Sequence, residues 1–347
     1  MIFLVLSLLT LSLFRCRISH HGLYDDYLER HQCNAIKGIC ILLVFIRHVW
    51  PYVLQSGYSS GVTFDRLSGI ANGIIGQLLV VMFLFYSGYG IMESIRNKGK
   101  NYIRSMPTRR IATTLLNFDV AVLLYVGIAF LTGEPPSWKR IALSLVGWSD
   151  VGNSNWYIFD IVLCYASAFI AFSLFPITNT GERGILIMTI LTVVAAGILA
   201  FVGKSGYWYN TLLCFPAGAW YSEKKHQIEK VAAQWSVTGF CFLFFLFLPM
   251  HVASRHLPPF WGNASNVLFS LLVIWTTMKI RLGNPILEWM GEHLFPIYIY
   301  QRIPMILLLR IDGGGFVFRH PFLFVSACLT ITVIIAHLYR HWRIQLA

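Results

Sequence analysis

Lys37 and His48 stand eleven residues apart in a stretch that otherwise reads mostly apolar, NAIKGICILLVFIRHVW. Eleven steps of 100° return an α-helix to within about 20° of its start and advance it about 16 Å, so the two side chains share a face at different depths. An ionisable group deep in a bilayer faces a cavity or a partner more readily than lipid. A neutral imidazole there could act as a general base and activate a hydroxyl. A histidine bonded to a neighbouring helix, beside a lysine that snorkels, gives the same pattern. Arg47 sits about 100° from His48 around the helix, and its long side chain could reach past it or pair with Asp119 or Asp160 in other apolar runs. Asp160 is also a candidate for orienting or polarising the imidazole, as carboxylates do at acyl-transfer sites.

Arg96, Lys98, Lys100, Arg104, Arg109 and Arg110 crowd a single loop ahead of another apolar run. A guanidinium fork suits bidentate phosphate contact, so this loop could neutralise a nucleotide-type molecule. Basic loops beside spans also serve as topology signals and lipid contacts. Ser87-Gly88-Tyr89-Gly90 precedes it, combining small residues for close approach with a phenolic hydroxyl. Near the end, Glu288, Glu292, His293, Tyr298, Tyr300, Gln301 and Arg302 form a polar stretch broken by Pro296 and Pro304, whose density argues for a hydrated cavity.

The elements that must position these groups are membrane helices. The chain of 347 residues is 56% hydrophobic and 12% charged, where a soluble domain carries about 25% charge. Apolar runs at 36–54, 70–92, 111–131, 155–176, 184–202, 207–221, 232–250, 263–280, 289–310 and 318–339 predict an all-α polytopic membrane protein of about ten spans. Residues 1–35 read as a leader and cytoplasmic segment, of which 1–14 are too short to span comfortably, and 36–340 as one transmembrane domain. The net charge of +12 concentrates on the side holding that segment and the 96–110 loop, which predicts a multi-pass protein with both termini in the cytoplasm. Charge spread over short loops, with no long basic stripe, argues against nucleic-acid binding. The segment 141–154 is too broken to span; it could re-enter and bring Trp148, Asp150, Asn153 and Asn155 to a cavity mouth, or lie outside as a plain loop. The seven cysteines include no CxxC pair, and His20, His21, His31, His251 and His256 make no ligand set, so no metal or disulfide framework is expected.

Taken together, these residues resemble the acyltransferase-3 family of integral-membrane acyltransferases over about residues 30–340. The basic residue, ten intervening residues and histidine of that family match Lys37 and His48. FLFYSGYGIM at 83–92, YIRSMPTRRI at 102–111, NWYIFDIVLCY at 155–165 and MGEHLFPIYIYQR at 290–302 match further elements. Two departures stand out. Arg109 and Arg110 replace a pair of basic residues spaced three apart, with Arg104 nearby, and His293 and Gln301 stand where a serine and a histidine are usual.

The resemblance implies transfer of an acyl group, commonly acetyl, from cytosolic acyl-coenzyme A to a hydroxyl of a surface polysaccharide or its lipid-linked precursor at the plasma membrane. His48 would be general base or transient acyl carrier, supported by Asp160, with Arg47 stabilising the oxyanion. Lys37, Arg104, Arg109 and Arg110 would hold the donor, while Ser87, Tyr89, Trp156, Glu292, His293, Tyr298 and Gln301 would line the substrate cavity. Membrane lipid, the glycan acceptor and polysaccharide-biosynthesis proteins are the implied partners. The rival expectation is a transporter or flippase for a lipid-linked sugar, with His48, Asp119, Asp160 and Glu292 as a relay.

Overall fold

The computed structural model describes residues 10–20, 22–59, 61, 76–175, 181–255 and 259–346. Most of the leader (1–9), the start of the second expected span (70–75), the end of the fourth (176), His21, Arg66 and His256 lie outside the described residues.

The apolar runs become helices, as expected where no water can satisfy the backbone. In chain order these are α1 (Arg30–Gln55), α2 (Leu78–Lys98), α3 (Lys100–Met106), α4 (Thr113–Leu131), α5 (Trp138–Leu145), α6 (Trp156–Leu174), α7 (Glu182–Phe201), α8 (Cys214–Gln234), α9 (Ser236–Ala253), α10 (Pro259–Thr277), α11 (Pro285–Glu292), α12 (Leu294–Tyr300), α13 (Arg302–Leu309), α14 (Gly315–Arg319) and α15 (Pro321–Leu338). The molecule is all-α apart from a two-residue antiparallel pair, Arg17–Ile18 with Ile280–Arg281. Seven helices among the described residues are long and apolar enough to cross a membrane, against the expected ten or so, and Leu294–Leu309 adds a shorter apolar stretch.

Glycine sets how closely the central helices approach. A Cβ on Gly38 would fall 2.0 Å from the Leu287 carbonyl oxygen, and one on Gly291 1.9 Å from that of Asn34, so α1 and α11 meet backbone to backbone. Gly88 and Gly218 do the same for α2 and α8, against the carbonyls of Phe215 and Phe85. Small residues at such crossings let dispersion contacts accumulate where lipid removes the hydrophobic drive to associate. α9 buries none of its residues and turns Phe240, Phe242, Phe244 and Phe245 outward, as a lipid-facing helix should.

Three expected boundaries move. The third span is preceded by helix from Lys100 onward, joined to it by a π-helical turn at Pro107–Ala112. The sixth does not begin at 207: residues 206–208 make a 3-10 turn, and Asn263 and Asn266 hold the following loop by donating to the Tyr209 and Asn210 carbonyls. α8 then runs on through its polar half, where Lys225 pairs with Glu229 at i,i+4. The ninth is three short helices interrupted at His293 and Gln301, three residues before Pro296 and Pro304, which supply no amide to the preceding turn.

The segment before α1 is docked onto the chain after α10. Besides the strand pair, the Ser19 and Tyr24 amides donate to the Lys279 and Met278 carbonyls. Asp26 pairs with Arg281, and the Gln32 amide closes both bonds on the Leu282 backbone.

Candidate active site

His48 lies in the second half of α1 and lines a cavity of about 350 Å³. Volumes of roughly 300–1,000 Å³ are typical of small-molecule sites. Arg47 and Val44 join it from α1, Gly76, Gln77 and Val80 from the start of α2, Asp150 and Asn153–Trp156 from the loop before α6, and Tyr298 and Arg302 from the broken helices. The Tyr298 ring centroid is 6.3 Å from that of His48 and packs edge-on against Tyr157 at 5.2 Å. His48 Nδ1 is buried without a hydrogen-bond partner. Gln301, whose Oε1 is likewise buried and unpartnered, is the amide that approaches the ring.

The loop from 146 to 155 satisfies its own polar groups and so holds its shape. Asn155 donates to the Gly147 carbonyl at 2.8 Å, and Asn153 accepts from the Val151 amide at 2.9 Å. Lys204 fastens it from outside, lying 3.8 and 3.9 Å from the ring centroids of Trp148 and Trp208 and donating to the Trp148 carbonyl. Burial there pulls the Lys204 ammonium below the usual lysine range, with the charge of Asp150 opposing the shift. Of the four residues expected near a cavity mouth, Asp150, Asn153 and Asn155 line the cavity; Trp148 packs behind it.

A second feature occupies the opposite end of α2, about 30 Å from Gln77 along the helix axis. Lys98, Asn101, Tyr102, Ser105, Arg109 and Arg110 line a groove of about 430 Å³. Pro107 cannot donate to the preceding turn, and the π-helical turn that follows carries both arginines. Arg110 Nε donates to the Tyr102 hydroxyl at 3.1 Å. Arg110 also interacts with Tyr165, whose hydroxyl meets Ser87. Arg104 opens onto a different depression with Lys100, Phe172 and Ser173.

A family model described as an acyltransferase domain matches residues 30–340. The chain belongs to the acyltransferase-3 family. No curated protein and no solved structure matches it.

Within this acyltransferase, the residues singled out from the sequence separate into groups. Arg47, His48, Trp156 and Tyr298 share the cavity, with Gln301 against the imidazole. Lys37 is on α1 below it, donating to Asn34 Oδ1 at 3.4 Å and lying 5.8 Å from the Tyr86 ring centroid. Asp160 is fully buried, accepts from the Thr211 hydroxyl at 3.2 Å, and does not line the cavity. Ser87 and Tyr89 sit at the α2–α8 crossing, with Tyr89 beside Tyr221. Glu292 pairs with Arg30, and His293 stacks on Trp289 at 4.1 Å. The polar stretch of 288–302 is thus divided between the two ends of the molecule. Gln77, Ser154 and Tyr207 are lining residues that sequence reasoning did not select, whereas Arg302 belongs to the polar stretch expected to border a hydrated cavity.

Proposed function

We propose that this membrane acyltransferase moves an acyl group, acetyl by preference, from acyl-coenzyme A to a hydroxyl of a surface polysaccharide or its lipid-linked precursor. The observation that carries the proposal is the pairing of a histidine-lined polar cavity at one end of the α1–α2 pair with a basic groove at the other. Positive charge concentrates at the groove end, which fits that end being cytoplasmic and the termini being inside the plasma membrane. The groove suits a donor rich in phosphate: two guanidinium groups and Lys98 stand beside three hydrogen-bonding side chains. The His48 cavity adjoins a second space of about 480 Å³ that shares Asp150 and includes Tyr52, Gln55 and Glu134, room for further sugar units of an acceptor.

In this reading, the His48 imidazole takes the proton of the acceptor hydroxyl as the hydroxyl oxygen bonds to the thioester carbonyl carbon. A hydrogen-bond donor of the cavity lining stabilises the oxyanion of the tetrahedral adduct. The carbon–sulfur bond then breaks, and the proton passes from His48 to the departing thiolate, leaving an ester and a free thiol. The relay needed by the transporter alternative has weaker support, since Asp119 and Glu292 do not line the His48 cavity.

The test incubates membranes with radiolabelled acetyl-coenzyme A and candidate glycans and counts label in the product. His48→Ala is expected to lower transfer by about 10²–10⁴-fold, the range spanned by loss of a general base, with insertion unchanged. Normal labelling by the variant would remove His48 from the reaction.

A further inference from the structure

Several arginines of this molecule are matched to a carboxylate. Arg30 pairs with Glu292, Arg96 with Glu93 and Glu223, Arg140 with Asp150, Arg281 with Asp26 and Arg310 with Glu134. Arg47 and Arg302 are not among them. Both line the cavity at His48, and both interact with the imidazole and with each other. Neither forms an ion pair with any described carboxylate, and Arg302 Nε is buried without a hydrogen-bond partner. Asp150, the only acid among the described lining residues, is already held by Arg140, whose Nε donates to its carbonyl at 2.7 Å and whose Nη2 donates to Oδ1 at 3.1 Å.

Two guanidinium groups lining one cavity repel, and the repulsion grows as water is excluded. The packing nevertheless makes room for them. A Cβ on Gly76 would fall 1.8 Å from Arg47 Nη1, so the glycine before α2 leaves the space in which the guanidinium rests. Arg302 is delivered by the interruption at Gln301, where Pro304 removes an amide from the turn. Guanidinium groups with no carboxylate partner among the described residues suit a carboxylate or phosphate brought in by a ligand. The donor's own phosphates are matched by the groove of Arg109 and Arg110 at the other end of α2.

Resting on the acyl-transfer reading, we infer that the acceptor is anionic: Arg47 and Arg302 grip a carboxylate or phosphate of the glycan and so set its hydroxyl beside His48. A hexuronic acid residue would supply the carboxylate; a glycosyl phosphate, including a lipid-linked one, would supply the phosphate.

The experiment uses the full chain in lipid nanodiscs and three oligosaccharides of one backbone, neutral, carrying a hexuronic acid, and carrying a glycosyl phosphate. With labelled acetyl-coenzyme A as donor, at least one charged acceptor is expected to show a KM at least tenfold below that of the neutral one, and which of the two does so identifies the anion. Arg302→Gln and Arg47→Gln should each collapse that ratio towards one, and Arg302→Lys should restore part of it. Equal KM values for all three acceptors in the unaltered protein, or a ratio that survives both glutamine variants, would overturn the inference. Binding is read separately, in an Arg109→Gln, Arg110→Gln background so that the opposite groove cannot retain the probe. There glucuronate or inorganic phosphate should raise the melting temperature only while Arg302 is present. Anion binding without transfer to any acceptor would overturn the acyl-transfer reading alone. Transfer to the neutral acceptor without anion binding would overturn this inference alone, and the absence of both would overturn both readings.

Discussion

At the scale of single residues, the basic groove makes a claim that separates three arginines which look alike in sequence. Arg109 and Arg110 line it, whereas Arg104 opens onto another depression. A hydrogen bond to a charged group contributes about 1.5–3 kcal/mol. Arg109→Gln and Arg110→Gln are therefore each expected to raise half-saturation by acyl-coenzyme A about tenfold or more, with Arg104→Gln within about twofold of the parent. Initial-rate titrations of the donor at fixed acceptor check this, and equal effects at all three positions would dissolve the groove as a donor site. Lys37 and His48 were legible in the sequence because helical spacing fixes which residues share a face. The meeting of His48 with its companions had no local signal: the family resemblance implies Tyr298 and Gln301 at the substrate cavity and polar density adds Arg302, but all three lie some 250 residues later in the chain. The same limit applies to Asp160, whose spacing allowed an orienting role but whose carboxylate accepts from Thr211.

At the scale of elements, apolar runs reveal which segments are helical, and glycines and prolines decide how the helices meet and where they break. SGYG could be read from sequence as either a binding element or a packing one, and its two glycines now differ sharply. A Cβ on Gly88 would lie 1.9 Å from the Phe215 carbonyl oxygen, while one on Gly90 meets nothing within 4 Å. Gly88→Ala must push α2 and α8 apart, which for overpacking costs about 1–3 kcal/mol. Gly90→Ala should be neutral or stabilising by about 0.5–1 kcal/mol, the usual gain of alanine over glycine inside a helix. Thermal unfolding in detergent is expected to place Gly88→Ala below the parent and Gly90→Ala at or above it; the reverse order would mean that α2 and α8 do not cross at this point. The start of the third helix was illegible for a related reason. The charged residues from Lys100 to Arg110 look like a loop by composition, yet a π-helical turn carries the backbone through them into α4.

At the scale of the whole molecule, the proposed transfer requires that donor and acceptor approach from opposite faces of the membrane. The polypeptide provides for this by putting the groove and the cavity at the two ends of α2, with α1 carrying Lys37 and His48 at different depths beside it. Sidedness can be measured without any knowledge of the substrate. Asn101 is exposed in the groove, and Glu134, also exposed, borders the space adjoining the His48 cavity. Of the cysteines, Cys241 is exposed and Cys16 partly so, while the other five are buried. Replacing those two by serine leaves a background in which single Asn101→Cys and Glu134→Cys substitutions report on their own surroundings. In intact cells a membrane-impermeant maleimide is expected to label the Glu134→Cys variant and spare the Asn101→Cys variant until the membrane is opened. The opposite pattern would invert the orientation inferred from the basic loops. Labelling of both in intact cells would mean that the groove and the cavity open to the same compartment, and a transfer running from a cytosolic donor to an external acceptor would then have no physical route through this fold.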